Sequence, residues 1–265
     1  MGAKAVCRRT IKGTFWFSAT AFLTLSLCGV TDQAVYAQGG PPLITDDPGT
    51  PGDGNWEINV AFTAEKRRMQ REYESPLLDI NYGLGDRIQL KYEVPWLVLD
   101  ERGQHTKTGL GNSAFGVKWR FFDQGSRAID MSIYPQFEFN TSNSAEDRGL
   151  LDRGVEFVLP FQIEKSFGPI SVNPEFGYTF REYNDNEWIY GLAVGYEVSS
   201  NLELLAEISG TTGQDFEDDE LVFNLGARCE LSETRTLLLS AGRSFRSSAS
   251  GEPEFLLYTG LQFIF

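Results

Sequence analysis

Hydrophobicity of period two, repeated from residue 55 to the end, restricts the fold of this chain more than any other feature. In NWEINVAFTAE, Trp56, Ile58, Val60 and Phe62 occupy one parity, and Glu57, Asn59 and Thr63 the other. Successive side chains of a strand point to opposite faces, so this is a strand with one apolar and one polar face. The dyad returns as Ile80 and Tyr82 against Asp79 and Asn81, as Ile88, Leu90, Tyr92, Val94 and Trp96 against Gln89, Lys91 and Glu93, and as Phe115, Val117, Trp119 and Phe121 against Lys118 and Arg120. It continues with Ile129, Met131, Ile133, Phe137 and Phe139 against Asp130, Gln136 and Glu138, then with Val155, Phe157, Leu159, Phe161 and Ile163 against Glu156, Gln162 and Glu164. Val172, Phe176, Tyr178 and Phe180 oppose Glu175 and Arg181, and Trp188 to Tyr196 oppose Gly191, Gly195 and Glu197. NLELLAEIS, LVFNLGARCEL, TRTLLLSAGRSF and EFLLYTGLQFIF bring the count to about twelve.

Strands of this length match the ~9–11 residues a tilted strand needs to cross a bilayer, and twelve is an even number, as single-chain bacterial barrels have. No stretch after the leader approaches the ~18 apolar residues of a membrane helix. In hydrocarbon no backbone N–H or C=O can go unpaired, so a spanning sheet must close on itself, last strand on first. That explains why the chain stops on a bare Phe265 in mid-pattern. The expected fold is therefore all-β, a transmembrane antiparallel up-and-down barrel over 55–265 with both termini periplasmic. The connections support it: GLGD, DQGS, SFGP, SSN and SET are tight, whereas DERGQHTKTGLGN, TSNSAEDRGLLDR, TTGQDFEDDE and RSSASGEPE are longer and alternate with them. Trp56, Trp96, Trp119 and Trp188 are candidates for the interfacial girdles. Pro95, Pro135, Pro160 and Pro174 fall inside these strands and call for bulges or strand ends, and Arg243 falls on the lipid parity, which calls for a rim position.

The start of the chain assigns the compartment. Lys4, Arg8, Arg9 and Lys12 precede an uncharged apolar run, and Val35-Tyr36-Ala37 places small residues at a cleavage site, so 1–37 reads as a secretory signal peptide. Lipidation at Cys28 and twin-arginine export through Arg8-Arg9 are weaker readings, because Leu27 is bulky and the latter route carries folded cargo. Removing Lys4, Arg8, Arg9, Lys12 and Asp32 from 23 Lys+Arg and 37 Asp+Glu leaves 19 against 36. A protein this acidic is no nucleic-acid binder by charge. Of three Cys only Cys229 remains, so no internal disulfide forms. Residues 38–54 are a Pro/Gly-rich periplasmic segment that either dips into the barrel as a small plug or serves as a linker.

Two resemblances add to this reading. Phe265, with Phe263, Leu261 and Leu257 on alternate positions, resembles the C-terminal signal read by the barrel-assembly machinery, which implies that machinery as a partner. PPLITDDPGTPGDGNWEIN, YGLGDRIQLKYEVPWL and GLGNSAFGVKWRFF resemble the family of outer-membrane transporters associated with the meta-pathway of phenol degradation. The resemblance implies a barrel in the outer membrane that passes small molecules, aromatic ones among them, with lipid and lipopolysaccharide as its surroundings.

The polar parity supplies the lumen-facing candidates: Glu57, Asn59, Asp79, Asn81, Gln89, Lys91, Glu93, Lys118, Arg120, Asp130, Gln136, Glu138, Glu156, Gln162, Glu164, Glu175, Arg181, Glu197, Glu203, Glu207, Asn224, Arg228 and Gln262. Acidic residues predominate, which predicts cation preference if the pore is open and charge pairing across the lumen if it is filled. An enzyme is not expected. His105 is the only His, lies in a loop, and has no recognisable Ser partner for a hydrolase triad. One His and one mature Cys make no transition-metal cluster, TDDPGTPGDG and DFEDDE lack calcium-loop spacing, and no cofactor motif is present. DFEDDE could bridge to lipopolysaccharide through divalent ions. The alternative functions are a non-transporting barrel with a scaffold or surface role and, further off, a barrel hydrolase.

Overall fold

The computed structural model describes residues 40–123, 129–151, 153–216, 219–246 and 251–265. The signal peptide expected over 1–37 lies outside the described residues. Fourteen segments form one sheet: β1 (Trp56–Lys66), β2 (Gln70–Leu84), β3 (Ile88–Glu101), β4 (Lys107–Leu110), β5 (Asn112–Phe122), β6 (Ile129–Ile133), β7 (Gln136–Asn140), β8 (Glu156–Phe167), β9 (Ile170–Arg181), β10 (Glu187–Ser199), β11 (Leu202–Gly213), β12 (Asp219–Ser232), β13 (Arg235–Ser244) and β14 (Phe255–Ile264). β4 and β5 are one strand interrupted at Gly111, since both pair with β3, and β6 and β7 are one strand interrupted at Tyr134-Pro135, since both lie between β5 and β8. The result is a closed antiparallel barrel of twelve strands.

Closure is where the sequence argument placed it. β14 lies against β1 from Glu57↔Ile264 to Lys66↔Phe255. Beyond that ladder Trp56 N–H donates to Phe265 O at 3.1 Å and Phe265 N–H to Trp56 O at 3.0 Å, so the terminal residue is hydrogen-bonded into the sheet. The outward parity keeps large apolar groups in the open, among them Phe176 at 54% exposure and Leu225 at 56%. Exposure on this scale suits hydrocarbon and not water. Trp56 and Trp119 face outward near the short-turn end, and Trp96 and Trp188 near the other.

Prolines act in three ways. Pro135 interrupts the β6–β7 strand, and Pro160 lies in β8 between the stretches that pair with β6 and with β7. Pro174 sits where the β8–β9 ladder skips from Gln162↔Glu175 to Lys165↔Val172, as its missing N–H requires. Pro95 pairs with Leu77 at the irregularity between Glu74 and Leu77, whose extra residues are Ser75 and Pro76. The connections differ from expectation. β2 and β3 run well past a bilayer's thickness, because backbone pairing persists through polar residues, so KRRMQ forms a three-residue hairpin, Arg67–Met69, on the long-loop rim. DERGQHTKTGLGN likewise shrinks to the five residues between Glu101 and Lys107. In TSNSAEDRGLLDR a short helix, α1 (Asn143–Asp147), folds back over the barrel mouth, where Ala145 and Leu150 pack on the inward-facing Leu97 and Leu99.

Candidate functional site

The barrel interior is divided by the N-terminal segment. Residues 40–50 run inside the sheet, held by side chains that the alternation turns inward. Glu207, 1% exposed, receives Ile44 N–H at 2.9 Å and Thr45 N–H at 2.8 Å on its two carboxylate oxygens, and Asn224 Nδ2 donates to it at 2.6 Å. Arg228 donates to Pro41 O and Gly40 O, Ser240 Oγ to Pro42 O, and Lys118 Nζ to Asp47 O at 2.7 Å while pairing with Asp46 at 3.1 Å. Leu43 is buried against Ala193 and Leu205. Two glycines make the fit possible: a Cβ on Gly191 would overlap Thr45 Oγ1, and one on Gly83 would overlap the Gly52 carbonyl. Burial pushes the Asp47 carboxyl up to about 6, against the lowering effect of Lys118.

On the short-turn side of this segment the interior is packed and polar. Asn59 Nδ2 donates to Asp79 and Glu57, Asn81 Nδ2 to Asp79, and Gln89 Nε2 to Asn81 at 2.7 Å and Tyr134 OH at 3.3 Å. Lys91 pairs with Glu93 at 2.8 Å and Asp79 at 3.8 Å, and Lys118 Nζ stands 4.8 Å from the Tyr134 ring centre. Only about 40 Å³ of space remains between Asp46, Asp47, Glu57, Asp79, Lys118 and Arg228. On the other side a cavity of about 500 Å³ opens, bounded by Leu43, Ile44 and Asp46 of the segment and by Lys91, Glu93, Glu138, Glu175 and Glu220 of the wall. A second cavity of about 270 Å³ lies between Ile44, Leu256 and Tyr258 and the carboxylates Glu65, Glu72 and Glu74. Ile44 is 59% exposed and faces this space.

The remaining candidates fall into smaller groups. Ser132 Oγ donates to Gln162, whose Nε2 donates to Glu175, and Glu175 also receives Asp46 N–H at 3.4 Å. Arg181 pairs with Glu156 at 3.2 Å and with Glu187, and Arg228 with Glu203 at 3.4 Å. Arg120 turns to the rim, bonding Asp86 O and Asp123. Asp130 lies opposite Glu164, Glu138 opposite Glu156, Gln136 opposite Gly116, Glu197 opposite Glu203 and Gln262 opposite Asn59. At the closing seam Leu257, Leu261 and Phe263 point outward beside Ala64, Val60 and Ile58. His105 stands exposed in the connection after β3.

The expectation of a polar inward face is incomplete. Leu77, Val158, Pro160, Ile189 and Val222 line the larger cavity. Leu97, Leu205 and Leu238 are buried on the same face. The signal was present in runs such as PWLVLD and TLLLSA, where alternation gives way to consecutive apolar residues and both faces are apolar.

A family model described as "Putative MetA-pathway of phenol degradation" matches residues 31–256. The chain belongs to this family. Its barrel is similar to an outer membrane channel from Pseudomonas putida F1, at 15% identity and a TM-score of 0.68, over 83% of this chain and 98% of that one. The family fold also resembles the NanC porin, at 9% identity and a TM-score of 0.56, and the KdgM porin solved with disordered oligogalacturonate, at 12% and 0.54; each match covers 78% of this chain and 98% of the porin. No curated protein matches the sequence. The fold of this family member is thus that of outer-membrane channels and porins.

Proposed function

We propose that this member of the phenol-degradation family is an outer-membrane channel for small solutes, aromatic ones included, with both termini in the periplasm and a preference for cations. One observation carries the reading: a closed ring of strands holds a cavity of about 500 Å³ whose wall combines apolar side chains with carboxylates. Among the described residues Glu138 and Glu175 have no Lys or Arg within ion-pair distance, so their field falls on whatever occupies the space. The apolar band of Leu77, Val158, Ile189 and Val222 favours solutes with an aromatic or aliphatic body over sugars. Assembly through the barrel machinery by way of Phe265 agrees with the hydrogen-bonded C-terminus.

Planar-bilayer recordings under a salt gradient test the reading, together with liposome swelling with aromatic and sugar solutes of equal mass. The expected result is a cation-selective conductance that loses selectivity in the Glu138→Gln, Glu175→Gln double variant, with faster swelling in the aromatic solute. Anion selectivity would remove the carboxylates from the account. A second reading, a non-transporting barrel, is favoured by residues 40–50 lying across the interior. Absence of conductance both before and after deletion of 40–50 would establish it.

A further inference from the structure

The hairpin between β1 and β2 carries KRRMQR, a run of cations that the channel reading does not use. Lys66 and Arg71 are directly opposed on β1 and β2, and both point outward, because Thr63 and Glu74 next along the ladder are the inward pair. Asp100 of β3 opposes Arg71, and Arg102, tied by its N–H to Met69 O at 2.9 Å, continues that outward column. On the other flank Arg243 of β13 is outward and exposed, beside Phe255, which opposes Lys66. The Arg that broke the lipid parity is therefore the far end of an arc over neighbouring strands. Lys66 pairs with Glu254 at 2.6 Å, whereas Arg68, Arg71, Arg102 and Arg243 have no acidic partner within ion-pair distance among the described residues.

Directly toward the membrane from this arc the same strands present an apolar surface: Phe62 and Tyr73, stacked at 6.1 Å, then Val98, Leu257 and Phe255. A cavity of about 380 Å³ lies among Lys66, Arg67, Arg68, Arg71, Asp100 and Arg102 at its head. Unpaired guanidinium groups above an acyl-chain surface, at the rim opposite the termini, complement a lipid whose headgroup bears phosphates. Arg presents planar forks that take phosphate oxygens in pairs, which suits a fixed headgroup better than diffuse attraction does. The far side of this rim is different in kind, with Trp188, Tyr178 and Phe180 packed together.

We infer that this arc binds the phosphorylated glycolipid of the outer leaflet, with its phosphates among Arg68, Arg71, Arg102 and Arg243 and its acyl chains along Phe62, Tyr73 and Phe255. The inference rests on the outer-membrane orientation proposed above but not on transport.

The test is native mass spectrometry of the full barrel in detergent, titrated with lipid A, with its dephosphorylated form and with glucosamine phosphate as a tail-free probe. The expected result is tight adducts with lipid A alone, about a hundredfold weaker in the Arg71→Ser, Arg102→Ser, Arg243→Ser variant, at roughly fivefold per cation. Replacement of the same three by Lys retains part of the affinity, and Arg87→Ser with Arg235→Ser at the other rim leaves it unchanged. Equal binding by the Ser variant, or equal binding of dephosphorylated lipid, overturns the site; equal binding of glucosamine phosphate overturns the lipid assignment. Heat-modifiable migration checks the fold of each variant. Should the triple variant fail that check, single Arg243→Ser and a salt titration of the unmodified protein decide, and salt-insensitive binding refutes the inference. A barrel that conducts ions but holds no lipid A would sink this site and leave the channel reading standing.

Discussion

Glu207 fixes the N-terminal segment in the barrel, and its replacement by Ala should release that segment. Two backbone N–H groups, from Ile44 and Thr45, meet its carboxylate at 2.9 and 2.8 Å where the side chain is 1% exposed. Hydrogen bonds to a charged group contribute about 1.5–3 kcal/mol each, so the pair stands for roughly 3–6 kcal/mol. Water entering the vacated space can rebind the two amides, and we take about half of that range, near 2–3 kcal/mol, as the net loss. A loss of that size shifts the docked-to-free ratio by roughly 30- to 150-fold. The ladder of β11 is untouched, since Glu207 pairs with Ala193 and Asn224 through backbone alone. A spin label at Ile44→Cys in a Cys229→Ser background reads the outcome. Ile44 stands at the boundary of the cavity, so the label should be slow in the parent and fast in Glu207→Ala. Glu207→Gln should fall between, because its amide oxygen still accepts while the charge is gone. Identical slow spectra for all three proteins would refute the claim that this carboxylate holds the segment.

Gly191→Ala attacks the same contact from the wall: a Cβ there would overlap Thr45 Oγ1, so the label at residue 44 should again be mobilised, without loss of the barrel by heat-modifiable migration. Docking should also respond to pH. The Asp47 carboxyl is raised from 3.8 to about 6 in the docked segment, so the docked form binds more protons between those values. Docking is then strongest below about pH 4 and weakens as pH rises through 6, and the label's slow fraction should fall across that window; a rise would reverse the sign of the argument. Deleting Phe265 removes the reciprocal hydrogen bonds with Trp56 that finish the β1–β14 seam. Folded barrel in outer-membrane fractions should drop severalfold, measured by the heat-modifiable band, whereas Phe265→Leu keeps the backbone pair and should retain more.

Much of the wall was legible in the sequence because a strand reports its two environments residue by residue. Trp56, Ile58 and Val60 against Glu57 and Asn59 is a reading that no tertiary context can reverse without turning the whole strand over. The legibility failed where both environments are alike. In Leu97–Val98–Leu99 the inward residues are capped by Ala145 and Leu150, so apolar groups lie on both faces and alternation vanishes. It failed again at Lys66–Arg71, where polarity suggests a loop but continued backbone pairing makes strand. The position of residues 40–50 was not legible at all, since a Pro/Gly-rich segment has the same composition whether it hangs free or lies inside a barrel.

By itself the sequence determined that the chain must form amphipathic strands, about twelve of them, and that its last residue must be paired, because hydrocarbon tolerates no open edge. Tertiary structure alone decided what fills the cylinder. The contacts of Glu207, Arg228 and Lys118 with residues 40–47 join positions 71 to 198 apart in the chain, and no local pattern encodes a meeting at that distance. Closure brings the inward faces of all strands around one axis, and only there does a column of polar side chains become a site with a floor, a cavity and a charge.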